Sequence, residues 1–464
     1  MAFRHFQERN TTKGGNPIVK QLGDLDCDLD LTFEMMDTEF SPITASTHLQ
    51  EAILRTDTEQ TPMALVGAAS SSVSGALANL AGVLQIPQVS VTSTSSALDN
   101  KDSYPYFGRV IPTNLGDTQA MALYYKSIGV THIGCLFIRD DFGSNFHRDV
   151  LVSAKQQNLT VTSIAFEAGS YTSIVNALQY LKQTDLRYFF GIWNQNTWEA
   201  VFRAGYQAGI IGHEGYVWLL GDGSLFTDPT RTLDALTDSD LARAISGTGV
   251  VQLNIKDNPL VNEEMKRFQL DPEFQQDFIN AHNPQHRYLF DTIDLGAQPI
   301  IRTVFQYLAY DAFMSIALAA CNQTTHSFTG EELLETIRHQ TFEGASGFVE
   351  VNNITGTRAP TGLPYTITNV AIDWGKTNDT TFHFRINPGI EVDYQSQSVH
   401  QIGAEFIYAG NSTRQPPSLP EIDEEMNLIT TPVQGFGLAL AGLVMVMSIG
   451  WAIFVVLYRK RSVI

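Results

Sequence analysis

Read for apolar and polar spacing, residues 29 to 381 alternate between two periods. Short runs with apolar residues adjacent or at every second position predict strands at Leu29–Met35, Pro62–Val66, Gln88–Thr92, Thr131–Phe137, Leu159–Ala165, Arg187–Ile192 and Gly215–Leu220. Helix-length stretches fall between them, at Ser72–Leu84, Gly116–Ile128, Asn145–Gln156, Ser173–Lys182 and Thr197–Ala208. Strands separated by helices of about 10–15 residues read as βαβ units, and so as parallel sheets covered on both faces. About seven such units exceed one compact sheet, which predicts an α/β chain of two lobes. The extended Arg109-Val-Ile-Pro-Thr113 breaks the rhythm and marks the boundary.

Beyond the repeats, Ile300–Cys321 and Glu331–His339 read as helices that return to the first lobe. The polar, Pro-containing segments 227–243 and 254–287 are poorly periodic and are expected as insertions on the surface of the second lobe. After Ser346 the sequence turns β-rich, with Tyr365–Ile372 and Gly403–Tyr408 the clearest strands. A Pro-rich acidic stalk, 411–434, leads to Gly435–Leu457, an uncharged run of 23 residues. As a helix that run spans roughly 35 Å, enough to cross a bilayer. Acidic residues precede it and Arg459, Lys460 and Arg461 follow, so the positive-inside rule places the C-terminal end in the cytosol and the rest outside the cell. A buried core helix is the competing reading of the run.

Composition narrows the partners. With 29 basic and 49 acidic residues the net charge is −20, which argues against a nucleic-acid partner. Three cysteines, Cys27, Cys135 and Cys321, make no disulfide-dense scaffold and match no zinc spacing, so no metal or cofactor is expected. Six sequons, at Asn10, Asn158, Asn322, Asn353, Asn378 and Asn411, lie on the side assigned to the exterior and predict a glycoprotein. The first fifteen residues lack the apolar core of a secretory signal, which suggests a start further upstream.

Two hydroxyl-rich turns carry the candidate chemistry. Gly67-Ala-Ala-Ser-Ser-Ser-Val-Ser-Gly75 follows one predicted strand and opens a helix, and Ser90-Val-Thr-Ser-Thr-Ser-Ser96 follows the next. In an open α/β sheet ligands bind at the carboxyl ends of strands, where a helix start and nearby hydroxyls hold an anion such as a carboxylate. Ser71, Ser72, Thr94 and Ser95 are the candidates, against the competing reading of ordinary helix N-capping. Asn194 and Asp222, at the ends of second-lobe strands, are candidates for the opposite wall, with Asp222 suited to an ammonium group. A plain turn at Asp222-Gly223 is the alternative. Asp141-Phe-Gly143 and His147-Arg-Asp149 look like kinase signatures in the wrong order, and no hydrolase, Walker or zinc-protease motif is present, so no enzyme is predicted.

The order lobe, crossover, lobe, return, stalk and membrane helix resembles the receptor-family ligand-binding region, the Venus-flytrap module of class C G-protein-coupled receptors. Ser71-Ser-Val-Ser74, Ser90 to Asn100, Arg109-Val-Ile-Pro-Thr-Asn114, Ala309-Tyr-Asp-Ala312 and Ala345-Ser-Gly-Phe-Val-Glu-Val351 look most like the GABA type B branch. The resemblance implies a type I periplasmic-binding-protein-like fold, with a first lobe of 1–112 lacking its first strand, a second lobe of 113–298, and a return at 299–345. A β-rich part at 346–410, the stalk at 411–434, a membrane helix at 435–457 and a cytoplasmic tail at 458–464 complete it. It also implies that Ser71 and Thr94 hold the carboxylate of a small amino acid or GABA-like ligand, with cleft closure signalling through a dimer to a G protein. Asn194 falls where that branch usually has tyrosine, and Phe305 where the GABA-binding subunit has the glutamate that holds the amine. The chain is expected to be a seven-helix receptor truncated at both ends. A single-pass clearance-type or co-receptor and a membrane-tethered solute-binding protein are the alternatives.

Overall fold

The computed structural model describes residues 1–8, 18–24, 27–55, 61–194, 197–221, 236–256, 258–273, 304–323, 327–360, 363–377, 381–393, 395–419 and 431–459. They fall in two units, Met1–Leu419 and Pro420–Ile464.

The larger unit opens with α1 (Ala2–Gln7), α2 (Gln21–Asp24) and α3 (Pro42–Ile53), and then alternates strand and helix. Strand β1 (Leu65–Val66), α4 (Ser71–Leu84), β2 (Gln88–Ser90) and β3 (Phe107–Arg109) form a three-stranded parallel sheet in the order β1-β2-β3. Next come α5 (Asn114–Ser127), β4 (His132–Ile138), α6 (Asp141–Gln156), β5 (Thr160–Phe166), α7 (Tyr171–Lys182), β6 (Tyr188–Ile192), α8 (Trp198–Ala208), β7 (Val217–Leu220), α9 (Ser239–Ile245) and β8 (Thr248–Leu253). The chain continues through α10 (Pro259–Leu270), α11 (Val304–Cys321), α12 (Gly330–Arg338) and the hairpin of β9 (Thr341–Gly344) and β10 (Gly347–Glu350). Finally β11 (Tyr365–Ile372), β12 (Phe384–Asp393) and β13 (Ser398–Gln401) complete an eight-stranded sheet, ordered β13-β12-β11-β8-β7-β6-β4-β5. Its β8-to-β5 half is parallel and its β11–β13 half antiparallel. This is the α/β, mostly parallel architecture that the two periods predict.

Alternation along the strands builds two cores. Leu136, Ile138, Phe189, Trp218 and Leu220 point to α7, α8 and α9, whereas Ile133, Cys135, Tyr188, Phe190 and Val217 point to α5 and α6. Both faces are therefore covered, as a parallel sheet requires. Helix α11 is largely buried beyond its first turns: Leu308, Ala312 and Ile316 lie in one cluster with Val89 and Val110, and Tyr307, Tyr310 and Met314 in another with Phe6, Val261 and Val349. A helix apolar all round needs that environment.

The structure corrects several expectations. Among the described residues Leu29–Met35 lies in no strand; Leu29 and Leu31 lean on the α1/α11 cluster, Phe33 packs on Phe3 at 4.6 Å, and Met35 is exposed. Segment 254–287 is no surface insertion over its described part, since α10 buries Val261 and Phe268 beside α1 and α11. Strand β8, unpredicted, sits between β7 and β11. Gly403–Tyr408 is not a strand apart from the Tyr408–Ser412 bridge, whereas β12 forms despite Pro388, which lies where its pairing with β11 shifts register. Cys27 and Cys321 are disulfide-bonded across 294 residues, fixing the segment before α3 to the end of α11.

Two quoted motifs are structural. Asp311 of Ala309-Tyr-Asp-Ala312 is buried and accepts from Ala345 N at 2.5 Å, Ser346 N at 3.0 Å and Ser346 Oγ, so it closes the β9–β10 turn. Arg358, also buried, donates to Ser346 Oγ at 2.6 Å and to Phe348 O at 2.8 Å. A Cβ on Gly344 would stand 2.3 Å from Asp311 Oδ1, which is why the turn starts with glycine.

The smaller unit contains α13 (Thr431–Tyr458). Within it Gly435–Tyr458, 24 residues of mean hydropathy 2.5, is long and apolar enough to cross a membrane. No residue of that stretch is buried among the described residues.

Candidate functional site

The hydroxyl turns meet at the carboxyl ends of β1 and β2. Ser90 Oγ donates to Ala68 O at 2.7 Å, Thr92 Oγ1 to Ala69 O at 3.1 Å, and Ser93 Oγ to Ser74 Oγ at 2.8 Å, while Ser74 Oγ accepts from Ala68 N at 3.0 Å. These bonds lock the two turns together and use Ser74, Ser90 and Ser93, all buried, as structure.

The remaining hydroxyls are arranged differently. Ser70 occupies the N-cap of α4 with extended backbone yet makes no side-chain capping bond. Its Oγ pairs instead with Ser72 Oγ at 3.0 Å, on an exposed surface. Ser71 Oγ accepts from Ser95 N at 3.2 Å, which brings Ser71 and Ser95 together. Thr94, next to Ser95 in the loop, is half-buried and accepts from Asn114 N at 2.9 Å through its carbonyl, but Ser95 is only 4 % exposed, so its hydroxyl is turned away from solvent. N-capping, the competing explanation for this serine cluster, is thus not what the side chain of Ser70 does.

Beneath the loop lies a residue that spacing alone does not single out. Arg109, fully buried at the end of β3, donates to Ser93 O at 2.7 Å, Ser95 O at 2.8 Å and Thr357 Oγ1 at 2.9 Å, and pairs with Asp99. Burial pulls its pKa below that of a free guanidinium, and the Asp99 carboxylate opposes the fall. The planar fork thereby fixes the carbonyls on either side of Thr94. Lys101 closes the back of the loop by donating to Phe107 O at 2.8 Å. The available signal was an arginine inside an apolar strand, which needs such partners to be buried.

On the eight-stranded side Asn194 follows β6 and is half-buried; Thr197 Oγ1 donates to its carbonyl at 3.1 Å and to Oδ1 at 3.3 Å. Asp222 lies outside the described residues, so the structure does not place it against Asn194 or the hydroxyl loop. Phe305, at the start of α11, is 44 % exposed. The kinase-like tripeptides are a strand-to-helix turn: Asp140 caps α6 by accepting from Gly143 N at 2.7 Å. Asn158, Asn322, Asn353 and Asn411 are exposed, and Asn10 and Asn378 lie outside the described residues.

Residues 19–364 match the family model described as the receptor family ligand binding region. The chain belongs to this receptor family. Among its relatives, metabotropic glutamate receptor-like protein E of Dictyostelium discoideum is 23 % identical over 304 residues, covering 63 % of this chain and 34 % of that protein. Metabotropic glutamate receptor 6 of Oryctolagus cuniculus is 28 % identical over 189 residues, 39 % of this chain and 21 % of that receptor. The Rattus norvegicus receptor of the same name is 27 % identical over 175 residues, 36 % of this chain and 20 % of the receptor. The matches span about a third of these relatives' length or less. The chain is similar to metabotropic glutamate receptors over these stretches, and the GABA type B-like branch finds no support in them. The family is one of receptor ligand-binding regions, not of enzymes.

Proposed function

We propose that this receptor-family ligand-binding region takes a small α-amino acid of the glutamate kind, with the ligand carboxylate at the start of α4. The observation that supports the reading is the helix start itself: the N-cap hydroxyl of Ser70 leaves the first-turn amides uncapped, Ser71 and Ser72 belong to that turn, and Ser71 holds the Ser95 amide of the loop that carries Thr94. Uncapped amides and the positive end of a helix favour an anion. The relatives' names support glutamate over GABA as the ligand class, and so does the exposed phenyl ring of Phe305 in place of an acidic group. Ser95 contributes its backbone, held by Arg109. Asn194 and Asp222 are proposed for the ligand amine across the cleft.

In this reading lobe I is 1–112 with 299–345, and lobe II is 113–298. Closing the cleft lets one ligand touch both, so binding shifts the population toward the closed state. The stalk and the span at 435–457 pass closure on to a G protein, with the ligand-binding region outside the cell and 458–464 in the cytosol. A dimer completes the relay: α3 and α4 leave a groove of about 550 Å3 lined by Ile43, Ile53, Leu54, Leu80 and Leu84, an apolar face that a second copy would cover.

The test is thermal unfolding of the full chain in detergent with L-glutamate, with GABA as a second arm. At about 100 times Kd a ligand adds roughly 2.7 kcal/mol of stability. Ser71→Ala with Thr94→Ala is expected to abolish the glutamate shift and to lower the unliganded midpoint by the roughly 1–3 kcal/mol of the lost Ser95 N to Ser71 Oγ bond. A shift that survives the double substitution sinks the site.

A further inference from the structure

The turn after β2 in the three-stranded half meets α6 of the eight-stranded half at a charged contact that the proposed ligand site does not use. Ser96, in the turn after β2, donates from Oγ to Asp149 Oδ1 at 2.9 Å, and Asp149 belongs to α6 of the eight-stranded half. Asp149 is 6 % exposed. Its other oxygen, Oδ2, is buried without a partner among the described residues. A buried carboxylate with one bare oxygen is poorly solvated as an anion and well suited to hold a proton on that oxygen.

We propose that Asp149 is a proton-operated latch that docks the Ser96 turn of the three-stranded half onto α6 of the eight-stranded half. Protonated, the carboxyl sits without charge against the turn. Ionised, it is pushed toward water, and the two halves part at this point.

The surroundings set the direction. The charges acting on Asp149 are Arg148 on its own helix, Arg109 on β3 and Asp99 on the turn, the first two favouring the anion and the third opposing it. Helix α4 and strand β5 have no ionisable side chain. Helix α5 meets Asp149 with the Thr118 hydroxyl, which donates to the Asp149 carbonyl at 3.2 Å, and also carries Asp117, Lys126, Tyr124 and Tyr125. Cys135 of β4, Tyr188 of β6 and the two α5 tyrosines are held neutral by burial. Burial dominates the sum and pushes the Asp149 carboxyl up to about 6. A group whose pKa is raised on docking binds a proton more tightly docked than free, so the latch tightens as pH falls through about 6 and is slackest above it. From an ordinary 3.8, the ionised docked form is disfavoured roughly a hundredfold.

The full chain in detergent tests this without any ligand, so the outcome is independent of the amino-acid reading. Spin labels at Ser103→Cys and Tyr180→Cys report the separation of the halves by pulsed electron resonance. Between pH 7.5 and 5 the distance distribution is expected to narrow. Asp149→Asn, the uncharged isostere, is expected to be narrow at both values. Ser96→Ala, which removes the donor to the anion, is expected to move the midpoint to higher pH. A distribution that ignores pH, or that responds equally in Asp149→Asn, overturns the latch. If Asp149→Asn does not fold, an unmoved midpoint in Ser96→Ala overturns it alone.

Discussion

Replacing Arg109 by methionine keeps the unbranched stem of the side chain and removes the guanidinium with its charge and its donors. Ser93 O and Ser95 O then lose partners at 2.7 and 2.8 Å, and Thr357 Oγ1 loses one at 2.9 Å. Each buried acceptor left bare costs about 1–3 kcal/mol. Asp99 also loses its cation, but its side chain is 27 % exposed and water replaces part of the contact. The total falls near the 3–5 kcal/mol typical of breaking a buried pair. At about 2–4 °C per kcal/mol this is a fall of roughly 10 °C in the thermal midpoint. Lysine at 109 keeps the charge but not the fork, and is expected to fall between wild type and methionine. The assay is intrinsic-fluorescence unfolding of the full chain in detergent, with L-glutamate shifts measured well below each midpoint. Arg109→Met is expected to lose the glutamate shift even while folded, because the backbone around Thr94 is no longer held. A methionine variant within about 2 °C of wild type, with its glutamate shift intact, refutes the argument, since surface changes alone move stability by so little.

Cys27→Ser removes the bond to Cys321 and is expected to cost about 2–5 kcal/mol, with reductant lowering the wild-type midpoint to that of the variant. Gly344→Ala places a Cβ against the Asp311 carboxylate and is expected to lose about 1–3 kcal/mol in urea titration, as overpacked sites do. Ile43→Asp with Val83→Asp charges two side chains that are 80 % and 81 % exposed beside the α3/α4 groove. Light scattering is expected to find the double variant monomeric where wild type is dimeric, with the thermal midpoint unchanged.

Much of the architecture is legible from periodicity because each face of the eight-stranded sheet is a run of neighbours: Tyr188, Phe189 and Phe190 alternate between two cores, and α6, α7 and α8 each bury one apolar face. Leu29–Met35 misleads because alternation reports burial on one side, which an irregular segment leaning on α1 and α11 supplies as well. Strand β12 escapes notice because Pro388 argues against a strand unless a register shift accommodates it. At the candidate site the serine turns announce themselves by composition. Which serines are structural depends on contacts between turns, Ser93 to Ser74 and Ser95 to Ser71, that no local spacing encodes. Arg109 and Asp149 are ordinary charges in sequence, and acquire their roles only from being enclosed by segments distant along the chain.

The Cys27–Cys321 bond also bears on the order of events during synthesis. Cys27 leaves the ribosome almost three hundred residues before its partner, and Cys135 emerges in between. In an oxidising compartment the nearer thiol would capture Cys27 first if it stayed accessible. Cys135 is fully buried in β4, beneath α5 and α6, and burial there keeps its thiol protonated and unreactive. Prompt closure of those two helices over β4 therefore protects the correct pairing, so a substitution that slows packing around Cys135 is expected to appear first as mispaired protein, before any loss of stability in the finished fold.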